Sequence, residues 1–168
     1  TEMVNDRLSS MLVEKEVEEK IIYKAMRYSL MAGGKRIRPV LALAVTDAFN
    51  GPTDDVLPFA CAIELIHTYS LIHDDLPAMD NDDLRRGLPT NHRVFGEAIA
   101  ILAGDGLLNY AFEIMAGACL SGGKIELQNK VKAMEVIARY SGINGMIGGQ
   151  VIDIQSEGKN IAYNILER

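Results

Sequence analysis

An apolar stretch at helical spacing, Phe59-Ala60-Cys61-Ala62-Ile63-Glu64-Leu65-Ile66-His67-Thr68-Tyr69-Ser70-Leu71-Ile72, runs straight into His73-Asp74-Asp75-Leu76-Pro77-Ala78-Met79-Asp80-Asn81-Asp82-Asp83-Leu84-Arg85-Arg86-Gly87. A surface loop is not usually fed by a buried helix, so this junction places five carboxylates and two guanidinium groups at the edge of a core. Carboxylates this close repel one another unless a cation or a raised pKa relieves them, and hard divalent cations prefer carboxylate oxygen. Arginines beside such a site suit an anion arriving with the metal, and phosphate fits their planar donors best. The segment reads as a metal–diphosphate site, with a solvated acidic loop as the plainer alternative. An EF-hand is excluded: counting from Asp80, position five is Leu84 and position six is Arg85, where a ligand and a glycine are required.

Apolar residues recur at helical spacing in nearly every segment, strict alternation is absent and there are five prolines, so the expected class is all-α in a single domain over 1–168. One helix spans about Ile21 to Met31 and stops at Gly33-Gly34, and Pro39 opens the next, which ends at Asn50-Gly51-Pro52. A third covers about Val56 to Asp75, ended or distorted by Pro77. Thr90-Asn91 supplies an N-cap for a long helical stretch through Phe95, Ile99, Leu107 and Met115, broken at Gly122-Gly123. Glu126 to Tyr140 is helical, Gly142 to Gly149 is a hinge or a closely packed helix start, and helical spacing resumes from Val151, with a turn at Ser156-Glu157-Gly158 and a continuing amphipathic pattern to Arg168.

A net charge of -6 and a pI of about 5.1 argue against a general nucleic-acid binder. Cys61 and Cys119 stand far apart with no CxxC pair, which gives neither a disulfide framework nor a zinc site and fits a reducing cytoplasm. No uninterrupted apolar run approaches the roughly 18 residues of a membrane span; the longest runs from Ala98 to Ala103.

Three constellations carry chemistry. His67, Ser70 and Asp74 fall on one helical stripe, with Asp74 about 10 Å beyond His67. His67 reads either as a satisfied core residue or as a phosphate ligand beside a carboxylate-bound metal. In Gly33-Gly34-Lys35-Arg36-Ile37-Arg38-Pro39, Lys35 and Arg38 project together near a helix start, a phosphate cup by composition, although an ordinary helix-capping loop has the same look. It is not a Walker A loop, because that spacing is absent. In Gly148-Gly149-Gln150-Val151-Ile152-Asp153, Gln150 and Asp153 share a face, and a positioned amide oxygen there could steady developing positive charge; a polar face with packing glycines is the other reading.

Together these residues resemble the trans-isoprenyl diphosphate synthases, the head-to-tail prenyltransferases. The resemblance is carried by Gly33 through Pro39, by His67 followed by Asp74-Asp75-x4-Asp80 and Arg85-Arg86-Gly87, by Pro89-Thr90-Asn91-His92, and by Gly149-Gln150. It covers the chain from about Ile22 onward, the residues before being similar to a variable first helix. The resemblance implies an isoprenoid-synthase-type bundle of long antiparallel helices around a central cavity, assembled as a homodimer. It implies that Asp74, Asp75 and Asp80 hold Mg²⁺, with Mn²⁺ as the alternative, against an allylic diphosphate. Arg85 would bind that same diphosphate, Lys35, Arg38, His67 and Arg86 would bind isopentenyl diphosphate, and Gln150 would face the reacting tail.

The implied reaction is metal-assisted ionisation of the allylic diphosphate, attack by the double bond of isopentenyl diphosphate, and loss of a proton, with no protein nucleophile. Aromatic Tyr69 and the Asp74-Asp75-x4-Asp80 spacing resemble the bacterial farnesyl diphosphate synthases; geranyl or geranylgeranyl diphosphate synthases, or a non-catalytic subunit of a heteromeric prenyltransferase, are the alternatives. The family also has a second aspartate-rich motif, preceded by a lysine and a threonine, and none of these is present by Arg168. The expectation is therefore that the sequence is the N-terminal part of a longer family domain.

Overall fold

The computed structural model describes residues 1–14, 16–159 and 163. In chain order the elements are α1 (Glu2–Met11), α2 (Lys20–Met31), α3 (Ile37–Ala48), α4 (Thr53–Asp74), β1 (Leu84–Arg85), β2 (Leu88–Pro89), α5 (Asn91–Phe95), α6 (Glu97–Leu120), α7 (Leu127–Ser141) and α8 (Met146–Ser156). The fold is the expected all-α bundle.

Its axis is α4, about 33 Å long at 1.5 Å per residue. Buried residues occur all around this helix, Leu65 and Ile72 among them, as expected of a helix enclosed by its neighbours rather than laid on a surface. Leu107 and Met115 of α6, Leu30 of α2 and Leu8 of α1 complete the centre of the core. His73 at the C-terminal end of α4 meets Ile101 near the start of α6, while Asp55 in the first turn of α4 meets Lys124 just beyond the end of α6. The two long helices are therefore antiparallel.

The expected helix limits hold to within a few residues, and Gly122-Gly123, Pro77 and Ser156-Glu157-Gly158 all fall where helices end. The stretch after Thr90 departs from expectation. Gly96, at φ 85° and ψ 157°, cannot continue a helix and divides the stretch into α5 and α6. Thr90 does occupy the N-cap of α5, but its hydroxyl donates backward to the Asp82 carbonyl (2.7 Å) instead of capping. The charged segment also closes into a two-residue hairpin pairing Leu84 with Pro89 and Arg85 with Leu88. Its turn residues, Arg86 and Gly87, both have positive φ (54° and 80°), the type I′ geometry that suits the twist of paired strands.

The reading of no membrane-span candidate needs correction. By length and composition α4 and α6 are both long and apolar enough to cross a membrane, because scattered polar residues break every apolar run without lowering the mean hydropathy enough. Burial within the bundle accounts for the apolar character of α4. The helical pattern read from residue 160 to the chain end lies outside the described residues.

Candidate functional site

Everything at the site depends on how α4 ends. After Asp74 the chain turns back, so that the amide of Asp80 donates to the Asp74 carbonyl (2.9 Å) and the amide of Asn81 to that of Leu76 (3.1 Å). This return brings the two separated aspartates together. Asp74 feels it: its carboxyl lies above the ordinary carboxylate range, first through burial and next through the charge of Asp80, with Asp75 adding to the rise and Arg85 and Gln150 opposing it. Gln150 of α8 donates from Nε2 to Asp74 Oδ1 at 2.9 Å, joining the glycine-rich constellation to the acidic one. Asp153, expected on the same face, is exposed.

Asp75 lies elsewhere. It is buried, and Arg85 donates to its Oδ1 from Nε (2.9 Å) and from Nη2, with Nη2 also reaching Asp82 (3.2 Å). Asp74, Asp75 and Asp80 thus do not form one three-carboxylate cage, and among the described residues no cluster of three metal-ligating side chains exists. Asp74 and Asp80 still fit a magnesium ion. Such ions keep several waters and are bound through one or two carboxylates plus substrate phosphates, and a cation between these two would relieve the repulsion that raises Asp74.

The phosphate-cup reading gains a definite shape. Lys35, Arg38, His67 and Arg86 line one cavity of about 450 Å³, together with Arg36 and Glu64. Arg86 reaches across from the hairpin and donates to the Gly33 carbonyl. Gly34, at φ 129°, leaves the room it needs: a Cβ there would stand 2.6 Å from the guanidinium. Burial and then the Arg38 charge hold the pKa of His67 below the ordinary histidine value, with Arg86 pushing the same way.

Sequence reasoning missed the pair that holds this cavity open. Arg36 adopts φ 51° and is buried; its guanidinium donates to Glu64 Oε1 (2.8 Å), the Leu30 carbonyl (2.6 Å) and Asn5 Oδ1 (3.0 Å). With Arg36 pinned inward, Lys35 and Arg38 on either side face out. The available signal was Glu64 itself, a charge inside an apolar stretch, which when buried requires a cationic partner.

A second cavity of about 700 Å³ lies between α4, α6 and α8. Asp74 and Gln150 share its lining with Tyr69, Ile101, Leu108 and Val151, so polar groups meet an otherwise apolar cleft. Around α4, Glu64 and His67 face the cationic cavity, while Tyr69, Ser70, His73 and Asp74 face the cleft. Residue spacing puts His67 and Asp74 on one stripe about 10 Å apart. The two cavities therefore open side by side along one helix.

A helical bundle with this arrangement has the fold of the isoprenoid synthases, as in the family member solved from Thermotoga neapolitana (TM-score 0.82, 36% identity, covering 99% of this chain and 60% of that one). The polyprenyl synthetase family model matches residues 19–167, and the chain belongs to that family. Farnesyl diphosphate synthase of Geobacillus stearothermophilus is 56% identical over 144 residues, 86% of this chain and 48% of that protein. The heterodimeric geranylgeranyl pyrophosphate synthase large subunit 1, chloroplastic, of Arabidopsis thaliana is 52% identical over 160 residues, 95% of this chain and 42% of that protein. The geranyltransferase structure from Legionella pneumophila superposes with a TM-score of 0.90 at 39% identity, covering 97% of this chain and 57% of that one. The chain spans about half the length of these relatives.

Proposed function

We propose that the protein is a head-to-tail prenyltransferase that condenses isopentenyl diphosphate with dimethylallyl or geranyl diphosphate and releases farnesyl diphosphate. The observation that carries this reading is the pair of cavities along α4, one cationic and one apolar with carboxylates in its lining. Two diphosphate substrates, only one with a growing hydrocarbon tail, need such a pair.

In this reading Lys35, Arg38, His67 and Arg86 bind the diphosphate of isopentenyl diphosphate. Arg85, oriented by Asp75, faces the allylic diphosphate. Asp74 and Asp80 hold Mg²⁺, or Mn²⁺ in its place, with Asp75 contributing through Arg85. When bound, the metal neutralises charge on the leaving diphosphate. Gln150 orients Asp74 through its amide nitrogen, which leaves the amide oxygen to steady positive charge developing on the allylic carbons. The apolar cleft keeps water from that charge.

Buried Tyr69 in the cleft lining supports a fifteen-carbon product, and the similarity to the Geobacillus farnesyl diphosphate synthase agrees with it. A geranylgeranyl product is the second reading, favoured by similarity to the Arabidopsis large subunit. A non-catalytic subunit is disfavoured, because without catalysis a crowded carboxylate and arginine cluster has no physical use. The proposal extends to a homodimer, for which exposed Leu102 and Leu120 of α6 and Val131 of α7 offer apolar surface, and to a reducing cytoplasm, with which two free thiols agree. The test is incubation of the full-length gene product with Mg²⁺, isopentenyl diphosphate and dimethylallyl diphosphate, followed by product sizing. A fifteen-carbon product is expected; a twenty-carbon product would overturn the farnesyl assignment, and no elongated product would overturn the prenyl-transfer reading.

A further inference from the structure

Gly104 stands on the face of α6 that meets the end of α4, and a β-carbon there would overlap the imidazole of His73. His73 Nε2 lies 3.0 Å from the Ile101 carbonyl; a carbonyl only accepts, so Nε2 carries the proton in this contact. Asp105 Oδ1 stands 3.9 Å from the same nitrogen, and the Tyr69 ring meets the imidazole edge-on at 5.6 Å between centroids. The imidazole therefore sits in a notch that exists because residue 104 has no side chain. Beyond that notch lies the apolar cleft, which His73 lines together with Tyr69, Ile101 and Leu108.

We propose that the seating of His73 against Gly104 sets the free width of the cleft, which makes His73 a determinant of hydrocarbon chain length. This inference rests on the prenyl-transfer reading above. Closely packed interiors do not absorb an added methyl group without displacement. With the α6 backbone on one side and Tyr69 on the other, an imidazole expelled from the notch moves into the cleft. Removing the imidazole instead widens the cleft beside Asp74, where a growing tail must pass. A difference of one methylene in a hydrophobic pocket already discriminates by about tenfold or more, so a whole ring suffices to change which product is released.

The experiment measures the ratio of long to short products made by the full-length enzyme and by Gly104→Ala, His73→Ala and the double variant. Gly104→Ala is expected to shift the ratio toward shorter products and His73→Ala toward longer ones, each by about tenfold. The double variant should match His73→Ala alone, since the group displaced by the new methyl is gone, and this non-additivity is the signature of direct contact. Unchanged ratios in both single variants, or a double variant whose shift is the sum of the singles, would overturn the proposal. Should Gly104→Ala fail to fold, His73→Ala decides alone, because deletion adds no crowding: a lengthened product supports the proposal and an unchanged one overturns it. A parent enzyme that elongates nothing defeats the prenyl-transfer reading, and this inference falls with it.

Discussion

Glu64 and Arg36 are 2% and 3% exposed and face each other at 2.8 Å across the floor of the cationic cavity. Removing one partner of a buried pair strands the other, which costs about 3–5 kcal/mol, whereas replacing both with apolar residues of similar volume is near neutral. Glu64→Ala is therefore expected to lower the urea-unfolding free energy by that amount, while Glu64→Met with Arg36→Met recovers most of it. Asp74 gives the opposite kind of effect. Its folded-state pKa is raised above the ordinary value of 3.8, so its ionisation costs stability as pH rises through the folded pKa. Asp74→Asn should leave the metal-free protein at least as stable above that range. In the proposed role of Asp74 as a metal ligand, protons would compete with Mg²⁺: affinity measured by titration calorimetry should fall as pH is lowered through the raised pKa, and in Asp74→Asn both the affinity and its pH dependence at this site should be lost. Transition-state stabilisation by a bound metal amounts to several kcal/mol, so turnover of Asp74→Asn is expected to drop at least about a hundredfold with the fold intact.

Among the elements, the corner between α6 and α7 is tied to the start of α4 by Asp55. Its Oδ2 accepts from the amides of Lys124 (2.6 Å) and Ile125 (2.9 Å), and buried Lys130 of α7 stands 3.5 Å from Oδ1. The Ile125 amide is the main influence holding the Asp55 carboxyl below 3.8, with the Lys124 amide and Lys130 acting the same way. A depressed folded-state pKa gives stability that is present above the unfolded value and lost as pH falls through the folded one. Asp55→Asn should therefore narrow the gap between the melting temperatures at pH 7 and pH 3, by lowering the former more than the latter. The α4 terminus and the hairpin act at the same scale. The turn at Arg86-Gly87 sends Arg86 to Gly33 while the adjacent Arg85 goes to Asp75, so one two-residue turn divides neighbouring arginines between two loops.

For the whole molecule, the net charge is -6, yet five basic residues, Lys35, Arg36, Arg38, His67 and Arg86, line one cavity. Attraction of a diphosphate in the proposed reaction would therefore be local, acting against the overall field. On the proposed function, the apparent KM for isopentenyl diphosphate should rise severalfold between about 0.01 and 1 M salt, as the screening length shortens from roughly 30 Å to 3 Å. Retention on a DNA column at physiological salt is not expected of a chain with this net charge, and firm retention would reveal a basic face outside the cavity. The two-cavity layout is also a property at this scale, since α4 supplies residues to both, while the segment 32–38 and Arg86 complete one and α6 and α8 complete the other.

Much of this was legible in the sequence because periodicity and turn chemistry are local. Helical spacing gave the bundle, glycine pairs and Pro77 gave its breaks, and residue chemistry picked out Lys35, Arg38, His67, Arg86, Asp74 and Gln150, which line two adjoining cavities, and Asp80, whose charge is felt by Asp74. The fate of Asp75 was not legible. Neighbouring residues on a helix end face different directions, and which of two adjacent aspartates meets an arginine and which meets a glutamine 76 residues away depends on the packing of α8 and the hairpin against α4. Arg36, read beside Lys35 and Arg38 as one basic cluster, turns inward because its left-handed backbone aims it at Glu64. Nothing in the local sequence around Gly104 marks it out, because the His73 ring that it accommodates comes from another helix. The sequence by itself determined which chemical groups are available and in what local conformation. Tertiary structure alone decided their partners, because pairing depends on distances between elements that no local spacing encodes.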